Sequence, residues 1–242
     1  MAVLFLIACK SEPTHVVRIE GKQILINDDI NSKKSIDDFI LPYKEKVEKE
    51  MSTVLSFTPI ELSRKDGELE SSLGNLLADL CYEKANPVFN SRTGKNIDFA
   101  MFNYGGIRST IPQGNITVEN AFNLMPFENT LVVAELSSEK IKELINYLLT
   151  ANIAHPLSKQ VSLEITKNGY DFKINHTKID DSKTYFVLTS DYLQNGGDKM
   201  NFFKNPVNLY PLDYKVRNAI IDYFKENDTI KVALDGRFRN AK

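Results

Sequence analysis

Apolar positions in this chain recur at two spacings, one that suits helices and one that suits strands. Spacings of three and four residues predict helices over residues 36–52, 73–81, 141–149 and 216–224. Compact apolar runs predict strands over residues 98–102, 131–136 and 184–189. Runs joined by short turns predict two hairpins, 15–20 with 23–26 across Gly21-Lys22, and 163–165 with 171–174 across Asn168-Gly169. Hairpins mixed with strand-helix units predict a single α+β domain, a mixed β-sheet flanked by helices, rather than an all-parallel sheet.

Two of the predicted strands run into turns that contain paired glycines. Asn103-Tyr104-Gly105-Gly106-Ile107-Arg108 follows the strand at 98–102, and Asn195-Gly196-Gly197-Asp198 lies shortly after the strand at 184–189. Glycine reaches backbone angles that other residues avoid, and Arg108 supplies a cation directly after the first turn. The first turn is therefore a candidate site for an anion.

Composition and charge exclude several classes of function. The 242 residues are 42% hydrophobic, which is enough for a sizeable core and excludes a wholly disordered chain. The 30 Lys and Arg residues against 32 Asp and Glu give a net charge of -2, and without a basic excess no nucleic-acid polymer is expected as a partner. The three histidines, His15, His155 and His176, show no spacing of three or four residues, so no His-rich metal centre is expected in this chain.

The two cysteines have different surroundings. Cys81 lies on the apolar face of a predicted helix, and we expect a small buried hydrophobe rather than a nucleophile because no base is evident beside it. Cys9 ends the apolar run 2–8, and Leu6-Ile7-Ala8-Cys9 resembles the lipobox of bacterial lipoproteins, in which the cysteine is acylated. This run is too short to cross a bilayer.

The N-terminal segment is therefore interpreted as a lipoprotein signal remnant and tether over residues 1–14, with Cys9 as the lipidation site and residues 15–242 as the folded domain. A lipid anchor implies attachment to a membrane of the bacterial cell envelope, on the periplasmic or the surface side. No Lys or Arg precedes the apolar run, and an ordinary N-terminal strand is the alternative.

Five segments carry a resemblance to a known family. They are 74–79, 98–108, 111–117, 125–131 and 190–198, with the sequences GNLLAD, DFAMFNYGGIR, IPQGNIT, MPFENTL and SDYLQNGGD. In this order and at compatible spacing they resemble the C-terminal domain of the 5'-nucleotidase and UDP-sugar hydrolase family, over roughly residues 36 to 238. The resemblance implies the mixed α+β fold of that domain.

In that family an N-terminal metallophosphoesterase domain holds two metal ions and performs hydrolysis, while the C-terminal domain supplies the specificity pocket. This sequence resembles only the second part, because it contains no Asp-x-His near its start and no Gly-Asn-His-Asp/Glu. Hydrolysis by this route needs paired metals. The resemblance therefore implies no catalytic residue, metal or cofactor in this chain, and two divalent metals in a partner phosphoesterase chain.

Two aromatic residues occupy the positions where the family clamps a nucleobase between rings. Phe127 stands at the Pro-Phe position and Tyr192 at the Asp-aromatic position, where the best-known members usually carry Phe. The resemblance implies that both rings stack on the base and that the Tyr192 hydroxyl needs water or a partner. The alternative is that both rings are simply part of the core.

The polar residues of the pocket follow from the same motifs. By resemblance, Asp198 accepts from the ribose hydroxyls, Arg108 reaches the phosphate, and Asn103 lies near the base or ribose. The alternatives are a turn-capping Asp, a surface salt bridge and a turn-forming Asn. The glycines of the two turns complete the predicted substrate-binding set: Gly105, Gly106 and Gly197.

Two departures from the family pattern affect this pocket. Relatives commonly carry an Arg just before the signature that begins here at Glu70, whereas this chain has Glu68-Leu69 there, with Arg64 and Lys65 farther back. One arm of the phosphate clamp is therefore in doubt. Tyr104 replaces a glycine of the usual triple-glycine turn, and it either blocks the pocket or adds a wall.

Two classes of function remain. In the first, the chain is the substrate-binding half of a split 5'-nucleotidase in nucleotide catabolism, working with a metallophosphoesterase chain in trans. In the second, it is a stand-alone lipoprotein that binds nucleotides or nucleosides, or a relic without a ligand. An independent hydrolase is disfavoured because the metal ligands are missing.

Overall fold

The computed structural model describes residues 15–27 and 29–241. The chain divides into two units, Met1–Lys44 and Glu45–Lys242, and this division falls later than the domain start predicted at residue 15. The interpretation of residues 1–14 and of Cys9 lies outside the described residues. Within the described ranges, no helix is both long enough and apolar enough to cross a membrane.

The hairpin predicted across Gly21-Lys22 is wrong, because residues 15–26 contain no strand. Their apolar side chains are exposed, for example Val17 at 96% and Ile26 at 87%. An isolated two-stranded hairpin is marginal in water without a surface to cover its apolar face. Apolar runs joined by a short turn were therefore not enough to form strands here.

Six α-helices are present in the described part of the chain: α1 Lys34–Met51, α2 Ser72–Thr93, α3 Val118–Leu124, α4 Ser138–Ala151, α5 Asp191–Gln194 and α6 Val216–Glu226. All four predicted helices are confirmed, as α1, α2, α4 and α6. Ser71 caps α2 by accepting from the Gly74 N–H, and Gly94 ends that helix in the left-handed region. Cys81 is fully buried on α2, and burial raises the pKa of its thiol, so its predicted role as a core hydrophobe is confirmed.

Ten strands divide among three sheets in the described residues: β1 Val54–Thr58, β2 Phe99–Ala100, β3 Gly114–Thr117, β4 Thr130–Ser137, β5 Val161–Thr166, β6 Gly169–Ile174, β7 Thr177–Lys178, β8 Thr184–Ser190, β9 Asn208–Lys215 and β10 Phe238–Asn240. The sheet orders are β1-β3, β10-β5-β6-β7 and β2-β8-β4-β9. Parallel and antiparallel pairs both occur, as the predicted mixed α+β class requires.

The hairpin predicted across Asn168-Gly169 is confirmed as β5 and β6. The two strands are antiparallel, with Thr166 opposite Gly169 across a tight turn, and Gly169 has a φ of +143°. Only glycine adopts that angle without strain. Leu163 and Phe172 face each other from the two strands and are both buried, so this hairpin has the apolar support that residues 15–26 lack.

The sheet β2-β8-β4-β9 brings distant parts of the sequence to one edge. Strand β8 runs parallel to β2, with Ala100 opposite Leu188, so both strands end on the same side. Strand β4 is antiparallel to β8, with Leu131 opposite Ser190, so β4 begins on that side. The segments that follow β2 and β8 and the segment that precedes β4 therefore meet there. Helix α4 follows β4 directly, and it buries Ile141, Leu144, Ile145 and Leu148.

Candidate functional site

A cleft of about 260 Å³ lies where these three segments meet. It is lined by Asn103, Gly105, Gly106, Arg108, Phe127, Asn129, Tyr192 and Asp198. The structure thus brings together every predicted substrate-binding residue except Gly197, which packs behind Tyr192. Asn129 was not predicted from the sequence, although it lies two residues beyond Phe127 in the motif that the resemblance used.

Asp198 is the centre of the polar side of the cleft. Its Oδ2 accepts from the Asn103 side-chain amide at 2.6 Å, and its Oδ1 accepts from the Tyr192 hydroxyl at 3.0 Å. The Asp198 side chain therefore joins the two glycine turns and does not cap the turn to which it belongs. Its φ of 51° lies in the left-handed region, which for a residue other than glycine costs about 1–3 kcal/mol and is typical of functional sites.

Asn103 has two separate roles in the first turn. Its backbone carbonyl accepts from the Gly106 N–H, which closes the turn, while its side chain points to Asp198 instead of capping the turn. A Cβ at Gly106 would lie 2.7 Å from the Asn103 Oδ1. Gly106 is therefore required for the close approach of this amide, independently of its own backbone angles.

The two predicted stacking rings are exposed and belong to the same cleft. Phe127 is 40% exposed and Tyr192 is 46% exposed, so the alternative that both rings are core is wrong. A Cβ at Gly197 would lie 2.4 Å from the Tyr192 ring, which shows that the ring lies flat against this glycine. The hydrogen bond to Asp198 raises the pKa of the Tyr192 hydroxyl and fixes the ring from its far end.

Arg108 stands beside the Phe127 ring at the mouth of the cleft. Its guanidinium lies 5.8 Å from the ring centroid and donates to the Gly105 carbonyl at 3.3 Å. Within the described part of the chain it forms no salt bridge, so the alternative of a surface ion pair is wrong. Most of its five N–H donors are left to face the cleft and solvent.

Comparison with known proteins relates both the sequence and the fold of this chain to 5'-nucleotidases. Residues 51–205 match the sequence model of the 5'-nucleotidase, C-terminal domain. The chain belongs to this family. Its fold is also that of a 5'-nucleotidase precursor from Thermus thermophilus, with a TM-score of 0.66 at 24% identity over 86% of this chain and 43% of that one.

Curated relatives of this C-terminal domain are considerably longer than the chain. An apyrase from Tabanus yao is 24% identical over 253 residues, which cover 94% of this chain and 45% of the relative. The trifunctional nucleotide phosphoesterase protein YfkN of Bacillus subtilis is 27% identical over 228 residues, which cover 86% of this chain and 15% of that protein. The chain thus spans less than half the length of these relatives.

A short helix after β8 orients Tyr192 in this 5'-nucleotidase C-terminal domain. The Asp191 carboxylate accepts from the Thr130 N–H at 3.1 Å and from the Thr130 hydroxyl at 3.0 Å. These bonds join the end of β8 to the start of β4. Ser190 caps the same helix by accepting from the Leu193 N–H. The ring of Tyr192 therefore projects from a segment that is fixed at both strands.

The segment that carries Phe127 is held from behind by a buried arginine. Arg217 of α6 is 7% exposed, and it donates to the carbonyls of Met125 and Phe127 at 3.2 and 3.3 Å. It also pairs with the Glu128 carboxylate, whose pKa is lowered by its hydrogen bonds to Lys215 and Arg217. The Phe127 backbone is thus fixed while its ring stays exposed.

The two departures from the family pattern are resolved by their positions. Arg64 donates to the carbonyls of Tyr104 and Ile107 at 3.0 and 2.6 Å, and its guanidinium lies 4.4 Å from the centroid of the Tyr104 ring. Tyr104 therefore packs against Arg64 and does not line the cleft, so it neither blocks the pocket nor adds a wall to it. Arg64 thus supports the first glycine turn by hydrogen bonding to two backbone carbonyls of that turn.

His155 lies beneath the first turn and is 4% exposed. Its Nδ1 accepts from the Tyr104 N–H at 3.2 Å, while its Nε2 has no hydrogen-bond partner among the residues that the structure describes. Burial lowers the pKa of this imidazole to about 4, against the opposing effects of Asp198 and the Phe102 backbone. The ring is therefore neutral at neutral pH, as its acceptor role requires.

Across residues 15–27 and 29–241, no group of three or more His, Cys, Asp or Glu side chains is placed to hold a metal ion. The polar groups of the cleft are one carboxylate, two side-chain amides, one phenol and one guanidinium. This set can pair with an anion and accept from a diol, and its two exposed rings can stack on a flat ring system. The presence of two divalent metals in a partner phosphoesterase chain remains a prediction from the resemblance.

Proposed function

We propose that this domain binds a nucleotide in the cleft and presents its phosphate ester to a dimetal metallophosphoesterase, which acts as a partner chain. The nucleobase stacks between Phe127 and Tyr192, the ribose hydroxyls donate to Asp198, and Arg108 pairs with the phosphate. The domain is thus the substrate-binding half of a 5'-nucleotidase. An acyl group on Cys9 is proposed to hold it at a membrane of the bacterial cell envelope.

One observation carries the binding proposal: three strand ends bring two exposed rings, a bridged carboxylate and a guanidinium to one cleft, and this guanidinium has no ion pair among the described residues. An exposed apolar patch rimmed by polar groups is typical of a ligand-binding groove. Stacking on such rings contributes about 1–3 kcal/mol per base. The chemistry of the lining fits a flat base, a vicinal diol and an anion in one molecule.

The titration of AMP and adenosine into the wild-type domain tests the proposal directly. We expect both to bind, and Phe127→Ala or Tyr192→Ala to weaken each of them about 5- to 150-fold through the loss of one stacking surface. Circular dichroism must show that each variant is folded. Because both side chains are exposed, their truncation costs far less folding stability than the core Phe→Ala value of about 3–5 kcal/mol.

The outcomes separate the alternatives. Wild-type protein that binds neither compound, alone or with its partner chain, would make the cleft a relic. Binding by folded ring variants that equals the wild type would place the base elsewhere. Binding without any effect on a partner phosphoesterase would favour a stand-alone binding protein.

A further inference from the structure

A buried histidine and a tyrosine connect the two glycine turns underneath the cleft. His155 accepts from the Tyr104 N–H, the first backbone donor of the turn that carries Gly105 and Gly106. The Tyr147 ring of α4 lies 5.3 Å from the His155 ring, and its hydroxyl donates to the Asp198 backbone carbonyl at 3.0 Å. Contacts from Tyr104 through His155 and Tyr147 to Asp198 therefore link the two glycine turns through side chains that do not line the cleft.

We propose that His155 is a positioning residue, whose Nδ1 acceptor holds the first glycine turn at the distance from Asp198 that ligand binding requires. The proposal rests on the proposed function, since the ligand is the nucleotide that the cleft is inferred to bind. His155 itself does not line the cleft. Its effect on a ligand must therefore pass through the turn.

The geometry makes this hydrogen bond specific to one ring nitrogen. Tyr104 offers a backbone N–H, which only an unprotonated ring nitrogen can accept. The nitrogen within hydrogen-bond distance is Nδ1, 3.2 Å from the Tyr104 nitrogen. The neighbouring Phe102 N–H donates to the Pro156 carbonyl at 2.9 Å, so the backbone on both sides of Asn103 is tied to residues 155 and 156. The Asn103 amide is the group that spans the cleft to Asp198. A shift of the turn would move this amide and both glycines together.

Three substitutions separate the hydrogen bond from simple space filling. In His155→Asn the side-chain oxygen falls near the position of Nδ1, in His155→Gln the same oxygen falls near the position of Nε2, and His155→Leu fills the space without an acceptor. The Asn and Gln variants offer the same chemical group and differ by one methylene. They are therefore the matched pair for this test.

We expect His155→Asn to bind AMP within about twofold of the wild type, and His155→Gln and His155→Leu to lose about fivefold or more, as for one broken hydrogen bond. Amide hydrogen exchange should show Tyr104 protected in the wild type and in His155→Asn, and unprotected in the other two. This second readout needs no ligand and reports the Tyr104 contact itself.

Equal AMP affinities for the Asn and Gln variants, whether both retained or both lost, would overturn the proposal, as would a protected Tyr104 amide in His155→Gln. If His155→Leu does not fold, the comparison of Asn with Gln still decides. Wild-type protein that does not bind AMP would refute the proposed function instead. The exchange of the Tyr104 amide would then still show whether His155 holds the turn.

Discussion

Gly197→Ala tests whether the Tyr192 ring must lie where the structure places it. A Cβ on Gly197 would lie 2.4, 2.5 and 2.7 Å from Cε1, Cζ and Cδ1 of Tyr192, whereas ordinary contacts begin near 3.4 Å. The backbone at this position does not have a left-handed φ, so the added methyl group acts by collision alone. The ring must therefore move by about 1 Å.

The displacement has a calculable effect on the site. A shift of about 1 Å stretches the 3.0 Å bond between the Tyr192 hydroxyl and the Asp198 carboxylate beyond hydrogen-bond range. It also moves the ring out of register with a base stacked against Phe127. We expect a loss of about 1–3 kcal/mol in the binding of AMP, or about 5- to 150-fold in Kd.

Isothermal titration with AMP and thermal unfolding of the same samples are the measurements. Because Tyr192 is exposed, the melting temperature should change little while the affinity falls. Gly21→Ala is the control, since a Cβ there meets no atom of the described residues within 4 Å. A folded Gly197→Ala variant that binds AMP as tightly as the wild type would refute the placement of the ring against this glycine in the binding-competent state.

Four further predictions concern charge, acid, metals and the anchor. Arg108→Ala should weaken AMP about tenfold more than adenosine in parallel titrations, because only AMP carries the phosphate, and equal losses would contradict the role. The His155 pKa of about 4 in the folded protein lies below the pKa of an unfolded histidine, about 6.5, so unfolding takes up a proton at pH values between these two pKa values. His155 should therefore lower the free energy of unfolding by about 3 kcal/mol from pH 7 to pH 4. Denaturant titrations at several pH values should show this loss of unfolding free energy in the wild type and not in His155→Asn. The same dependence of unfolding free energy on pH in both proteins would exclude the contribution of His155. The purified domain with Mn²⁺, Mg²⁺ or Zn²⁺ should release no phosphate from AMP above blank, and addition of a cognate metallophosphoesterase chain should start turnover. Metal-dependent release of phosphate by the domain alone would disprove this assignment. Cys9→Ala should abolish labelling by a fatty-acid probe, and labelling as strong as in the wild type would rule out the anchor.

Local patterns predicted the elements whose stability is local. The Asn168-Gly169 turn and the apolar faces of α2, α4 and α6 were recognised because their spacing and turn chemistry agree with their burial. Strand β9 was missed because Pro211 and the left-handed Asp213 interrupt its alternation, although its pairing with β4 holds it in the sheet. Residues 15–26 failed in the opposite way, because their apolar runs predicted strands while those side chains are exposed and no strand forms.

The lining of the cleft was predicted from motifs, whereas the residues that support it were not. His155 meets Tyr104 across 51 residues of sequence, and Arg217 reaches the Phe127 segment across about 90. Nothing in the local pattern around either residue marks it, because both bind backbone groups of distant segments and every residue supplies those, even though Arg217 also pairs with the Glu128 side chain. A motif records side chains that face a ligand. Contacts to backbone atoms depend on the fold and become visible only when the strands are in place.

Arg64 shows what this limit means for function. In the sequence, Arg64 stands out only as a basic residue that lies farther back than the arginine that relatives commonly carry. In the structure its guanidinium is bonded to the carbonyls of Tyr104 and Ile107, and it packs on the Tyr104 ring. A guanidinium whose donors are engaged by carbonyls behind the turn contributes to an anion site through the position of that turn. Among the groups lining the described cleft, Arg108 is then the cation that can pair directly with a bound phosphate, which makes Arg108→Ala the direct test of that pairing.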